Sequence, residues 1–247
     1  MRRRTLASDV DEVLADFQTP ALQIMEKVTG RAYRPEDFVV WDIFSVLSED
    51  EKREVFAEIE RPGWCAALQP TEGAIEAVAE LRTIVDVFPV TSPFHSPTWM
   101  YERTYWLGKH FGWKPGEVVH TGSKQVVLAD GLLDDKPNHV VDWGNKHPGG
   151  LAMLKHIPNT RMMHEMDDRR VYTWAEVIEK AKTFASRKDV YELLKEREFT
   201  YVSLGSDAEA RTCEECGART TGDYLHPAKA PKHKPGCRLD EVLRGMK

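Results

Sequence analysis

Along the first three quarters of the chain, short apolar runs of strand length alternate with stripes spaced for helices. Residues 5–8 form the first run, which passes directly into SDVDEVLADF. From 20 to about 63 the spacing turns helical, and Leu22, Ile24, Met25 and Val28 share one face. Ser48 followed by Glu49, Asp50 and Glu51 has the form of a helix start: a capping hydroxyl with acids in the first turn. After Pro70, Thr71 is placed to cap a helix whose apolar face carries Ile75, Val78, Ala79 and Leu81. Residues 84–90, IVDVFPV, are β-branched and aromatic and end at Thr91-Ser92-Pro93, which predicts a strand. A helix is expected over 99–111, punctuated by Gly112 and Gly116, with further strands at 118–120, 131–133 and 151–154. Thr173 is positioned to cap the helix TWAEVIEKAKTF.

Strands and helices in alternation predict an α/β fold with a Rossmann-like parallel sheet. Ligands of such sheets sit beyond the carboxyl ends of the strands. The polar residues of interest fall there: Asp9 and Asp11 after the first strand, Thr91 after the second, Asp134 and Asp135 after the fourth.

Composition narrows the function classes. The 247 residues are 41% hydrophobic and 30% charged, with a formal net charge of −6. A chain of this size buries roughly 70% of the surface its unfolded form exposes. The acidic balance removes any global field for nucleic acid, so anion binding has to be local. No apolar run approaches the ~18 residues of a membrane span, and MRRRTLASDVDEV lacks the apolar stretch of a signal peptide, so a cytoplasmic location is expected.

The polar residues at the strand ends suit phosphoryl transfer. Two residues apart past a strand end, Asp9 and Asp11 can aim into one crevice, one carboxylate attacking while the other, protonated, serves the leaving oxygen. Magnesium takes oxygen ligands, which Asp9 and a carboxylate of the Asp134-Asp135 pair would supply. Thr91 offers a hydroxyl and an N–H to phosphate oxygens, and Lys124 offers a positive charge.

At these residues the chain resembles the haloacid dehalogenase superfamily of phosphatases. SDVDEVLADF resembles the first motif, VFPVTSPF the second, Lys124 the third and LLDDKP the acidic fourth. More narrowly, DVDEVLADF, VTSPF and SKQVVLADGLLDDKP resemble the 5′(3′)-deoxyribonucleotidases, over about residues 5 to 184. The resemblance implies a core over 1–186 with a helical cap at about 18–80. It implies Asp9 as nucleophile and magnesium ligand, and Asp11 as general acid then base, its backbone carbonyl also on the metal. Thr91, Ser92 and Lys124 would hold the phosphate, Asp135 the metal, with Asp134 in support, while Phe17 and Trp41 would flank the base. The implied substrate is a nucleoside monophosphate, deoxynucleosides first, and the implied assembly a homodimer. The chain departs from the pattern at Glu12, where glycine is common, and through the cap.

Beyond about residue 187 the composition shifts toward Lys, Pro and Cys. Cys213 and Cys216 form a CxxC pair, and His233 and Cys237 an HxxxC pair. Two short-spaced pairs suit a tetrahedral structural zinc, with His226 a rival for the histidine position, and an odd number of cysteines argues against disulfides. The expectation is a small zinc-stapled tail over 187–247, fixing the C-terminus or contacting a partner. Its basic residues Lys229, Lys232, Lys234 and Arg238 also leave open a phosphatase acting on nucleic-acid ends. A nucleotide-binding protein without turnover is the third alternative.

Overall fold

In a computed structural model, residues 3–160, 166 and 168–186 are described in full, and 200–203, 208–212 and 219–223 by their backbone. The chain divides into two compact units, Met1–Ala185 and Ser186–Lys247.

The first unit opens with β1 (Thr5–Ser8), whose last three residues are buried. A two-residue strand, β2 (Ala15–Asp16), leads into the inserted helices α1 (Gln18–Thr29), α2 (Glu49–Ile59) and α3 (Trp64–Ala67). The chain returns as β3 (Gln69–Pro70), which pairs antiparallel with β2 and closes the neck of the insertion. Then follow α4 (Ala74–Ile84), β4 (Asp86–Thr91), α5 (Trp99–Phe111), β5 (Val119–His120) and β6 (Gly131–Asp134). The unit ends with α6 (Pro137–Lys146), β7 (Leu151–Lys155), β8 (Arg170–Val171) and α7 (Trp174–Ser186).

Six strands form one parallel sheet in the order β5-β4-β1-β6-β7-β8. The central pairing is Ser8 with Leu133 on one side and with Pro89 on the other. Helices cover the faces, which is why β6 is buried at every position and is apolar up to its last residue, Asp134. β8 was not foreseen, because two residues carry no period.

Local chemistry accounts for the helix ends. Ser48 and Glu51 form a reciprocal capping box on α2, as the sequence indicates. Thr173 Oγ1 accepts from the Glu176 N–H at 3.2 Å. Thr71 does not cap α4. Its hydroxyl donates instead to the Val13 carbonyl at 2.7 Å, and α4 begins after Gly73, whose φ of 73° is left-handed. Ile75 is correspondingly exposed, and Ala74, Ala77, Val78 and Leu81 make the buried face. α4 packs on β4, and the inserted helices α1 to α3 lie in the chain between β2 and β3.

The second unit holds an antiparallel three-stranded sheet, β9 (Thr200–Ser203), β10 (Ala208–Thr212) and β11 (Arg219–Asp223), with β10 in the middle. Cys213, Cys216, His226, His233 and Cys237 lie outside the described residues. Among the described residues no helix is long and apolar enough to cross a membrane.

Candidate active site

Asp9 stands one residue past β1, where its N–H donates to the Leu133 carbonyl at 2.8 Å and so is fixed to the neighbouring strand. Its Oδ1 accepts from the Val10 N–H at 2.6 Å and lies 2.5 Å from Lys124 Nζ. No described residue donates to Oδ2. Lys124, on a short 3-10 turn and 1% exposed, also reaches Asp134 Oδ2 at 2.8 Å. Asp11 keeps a quarter of its side chain exposed, and its Oδ1 sits 2.5 Å from Nη2 of Arg103, a fully buried residue of α5. Thr91 ends β4 with its hydroxyl buried and unpartnered among the described residues, and Ser92 Oγ donates to the Thr121 carbonyl at 3.4 Å.

Four buried ionisable groups therefore share one strand-end crevice: Asp9, Asp134, Asp135 and Lys124. Burial and the Asp134 charge push Asp9 up to about 7, outweighing Lys124. Burial, Asp9 and Asp134 push Asp135 well above the carboxylate range. Asp134 goes the other way: against its own burial, Lys124 and His139 hold it down to about 2. The set is thus short of positive charge, which is the condition that a divalent cation relieves. Asp9, Asp134 and His139 bring ligand-type atoms within 4.8 Å of one another. Asp134, however, already accepts from Lys124 and the Lys136 N–H and meets His139 Nδ1 at 3.2 Å. Asp135 commits one oxygen, to Trp41 Nε1 at 2.7 Å. Asp9 and Asp135 are therefore the carboxylates with oxygens to spare, and the donor set fits a hard cation.

The cap supplies an aromatic wall. Phe17 lies edge-on to Phe44 and Trp64 and stacks on Phe94 with centroids 5.6 Å apart. Trp41 bonds Asp135 and takes Lys136 Nζ over its ring at 4.4 Å. Asp9, Asp11, Phe17, Trp41, Ser92, Lys124 and Asp135 all line one cleft, whereas Thr91, next to Ser92 in the chain, is fully buried and not part of its lining.

Residues 3–184 match the family described as 5′ nucleotidase, deoxy (Pyrimidine), cytosolic type C protein. The chain belongs to this family. It is 29% identical over 185 residues to the mitochondrial 5′(3′)-deoxyribonucleotidase of Mus musculus, covering 68% of this chain and 80% of that protein. The cytosolic 5′(3′)-deoxyribonucleotidase of Homo sapiens is 32% identical over 139 residues, covering 52% and 68%. The 5′(3′)-deoxyribonucleotidase of Bacillus subtilis is 24% identical over 178 residues, covering 71% and 96%. In fold the chain is similar to a haloacid dehalogenase-like hydrolase of Streptococcus pneumoniae, with a TM-score of 0.51 at 10% identity, over 72% of this chain and 97% of that one.

Within this nucleotidase family member, two residues have contacts that the motif pattern does not show: Glu12, which lines the cleft, and Arg103, which is buried against Asp11. Glu12 has a left-handed φ of 59°, which explains why glycine is common there. Its carboxylate accepts from the N–H groups of Phe17 at 3.0 Å and Gln18 at 2.5 Å, capping α1 from outside, and burial pushes it up to about 8. The φ signal is invisible in a sequence, but an acid six residues before a helix start is a hint. Arg103 had a clearer signal. It interrupts the face Trp99, Trp106, Leu107, and a charge on the buried stripe of a helix wants a partner.

Proposed function

We propose that the chain is a magnesium-dependent phosphatase that hydrolyses nucleoside monophosphates, deoxynucleosides among them, through an aspartyl-phosphate on Asp9. One observation carries the reading. Asp9, which lines an aromatic-walled cleft, has one oxygen clamped by Lys124 and the Val10 N–H, while the other has no donor among the described residues. The free Oδ2 attacks phosphorus and the bond to the ester oxygen breaks, with Asp11 giving that oxygen a proton. Water then attacks the aspartyl-phosphate and passes its proton to Asp11, releasing phosphate and restoring the Asp9 carboxylate and the protonated Asp11. Lys124, Thr91 and Ser92 bind phosphate oxygens, and Phe17 and Trp41 flank the base. Magnesium, held by Asp9, Asp135 and the Asp11 carbonyl, supplies the charge neutralisation that lets an anionic ester approach these acids.

The cap favours a small substrate over a strand end, because Trp41 reaches across to Asp135 and walls the cleft. The test is phosphate release from a panel of nucleoside monophosphates and a 5′-phosphorylated oligonucleotide, with magnesium. Faster turnover of the oligonucleotide would transfer the assignment to nucleic-acid ends. Asp9→Asn is expected to abolish turnover with its circular dichroism unchanged, and near-normal rates in that variant would remove the nucleophile.

The tail, on the same reading, holds one structural zinc through Cys213, Cys216, His233 and Cys237. Its support is the donor set, and the fact that the CxxC pair falls in the chain between the paired strands β10 and β11. Elemental analysis of the full chain should find about one zinc per protein, and none would reject the site.

A further inference from the structure

Arg103 lies where a guanidinium is costly. It is fully buried, with Nε and Nη1 lacking any partner among the described residues. Its ring neighbours, Trp99 at 5.2 Å and Trp106 at 5.7 Å, offset only part of the lost hydration. A buried charge with two unpaired edges is a poor stabiliser, and an apolar side chain of similar volume would fill the position at least as well.

What the guanidinium does hold is Asp11. Nη2 lies 2.5 Å from Oδ1, across 92 residues of sequence. The neighbouring acid, Glu102, is committed elsewhere, accepting from the N–H groups of Gly63 at 2.8 Å and Ala66 at 3.3 Å. The helix itself is fixed, because Trp106 Nε1 donates to the Leu68 carbonyl at 2.7 Å. A rigid donor on a rigid helix thus takes one oxygen of a carboxylate that is otherwise a quarter exposed.

We infer that Arg103 is a positioning residue for Asp11: it pins Oδ1 and leaves Oδ2 as the oxygen that exchanges the proton with the leaving group and then with water. This rests on the phosphatase reading above. It assigns Arg103 no contact with substrate.

The test compares two esters with different need of that proton. A nucleoside monophosphate expels an alkoxide and requires it, whereas p-nitrophenyl phosphate expels a phenolate that leaves unaided. Steady-state kinetics would be run with magnesium on the full chain, Arg103→Met, Arg103→Lys, Asp11→Asn and the double variant Arg103→Met/Asp11→Asn. The nucleotide would be the most rapidly hydrolysed of the common deoxynucleoside monophosphates. General acid catalysis contributes about 10²–10⁴-fold, so Arg103→Met should lower kcat on the nucleotide by at least about tenfold with KM little changed. On p-nitrophenyl phosphate the loss should be much smaller. Arg103→Lys should recover part of the loss, and Arg103→Met should cost nothing further in the Asp11→Asn background. Equal losses on both esters, or a full additional loss in the double variant, would overturn the role. Should Arg103→Met not fold, Arg103→Lys against Asp11→Asn/Arg103→Lys gives the same cycle. A wild-type chain that hydrolyses neither ester would instead remove the phosphatase reading, and this role with it.

Discussion

Trp41 of the cap donates its indole N–H to Asp135 of the core at 2.7 Å, joining residues 94 positions apart. The same ring carries Lys136 Nζ on its face. The cap is therefore tied to a carboxylate that lines the cleft. With a cation holding Asp135 in its charged form, a hydrogen bond to it contributes about 1.5–3 kcal/mol. Trp41→Phe keeps the ring and removes the donor, so kcat/KM on a nucleoside monophosphate should fall about tenfold or more. An unchanged kcat/KM would mean that the position of the cap does not rest on this bond.

The shortage of positive charge around Asp9 and Asp135 predicts that magnesium stabilises the folded chain as well as activating it. At a hundredfold excess over its dissociation constant, a ligand adds about 2.7 kcal/mol, or roughly 5–10 °C in melting temperature for a unit of this size. EDTA should abolish turnover. Asp135→Ala should need more magnesium for half-maximal rate and should lose most of the thermal shift. Full activity in metal-free buffer would overturn the metal assignment.

Glu12 sets two effects against each other. Its left-handed backbone costs about 1–2 kcal/mol in any residue with a Cβ. Its carboxylate returns about 1 kcal/mol by accepting from the N–H groups of Phe17 and Gln18. Glu12→Ala keeps the strain and loses the bonds, whereas Glu12→Gly loses both. The glycine variant should therefore melt above the alanine variant and close to the wild type. The reverse order in a thermal melt would show that the strain is not released.

Cys65, on α3 of the cap, is 1% exposed, and burial pushes its thiol up to about 12. Thiolate is the reactive form, so iodoacetamide at neutral pH should leave Cys65 unmodified until denaturant is added. Peptide mass mapping reads this directly, and rapid labelling of native protein would mean that the cap opens readily.

The sequence by itself determined where the chain turns from strand to polar loop. The apolar runs around 5–8, 84–90 and 131–133 are local signals of strand length, and each ends at an acid or hydroxyl: Asp9, Thr91, Asp134. The Ser48 capping box was equally legible, because its partners lie three residues apart. Ile75 and Thr71 misled, because helical spacing shows that a face exists and not which edge of it meets the sheet. Only the tertiary structure decided the strand order that puts β1 between β4 and β6, and so brings Asp9, Thr91 and Asp134 to one edge. It alone joined Trp41 to Asp135 and Arg103 to Asp11, over 94 and 92 residues. Such pairs have no period, since they are set by which packed surfaces meet once the helices are laid on the sheet.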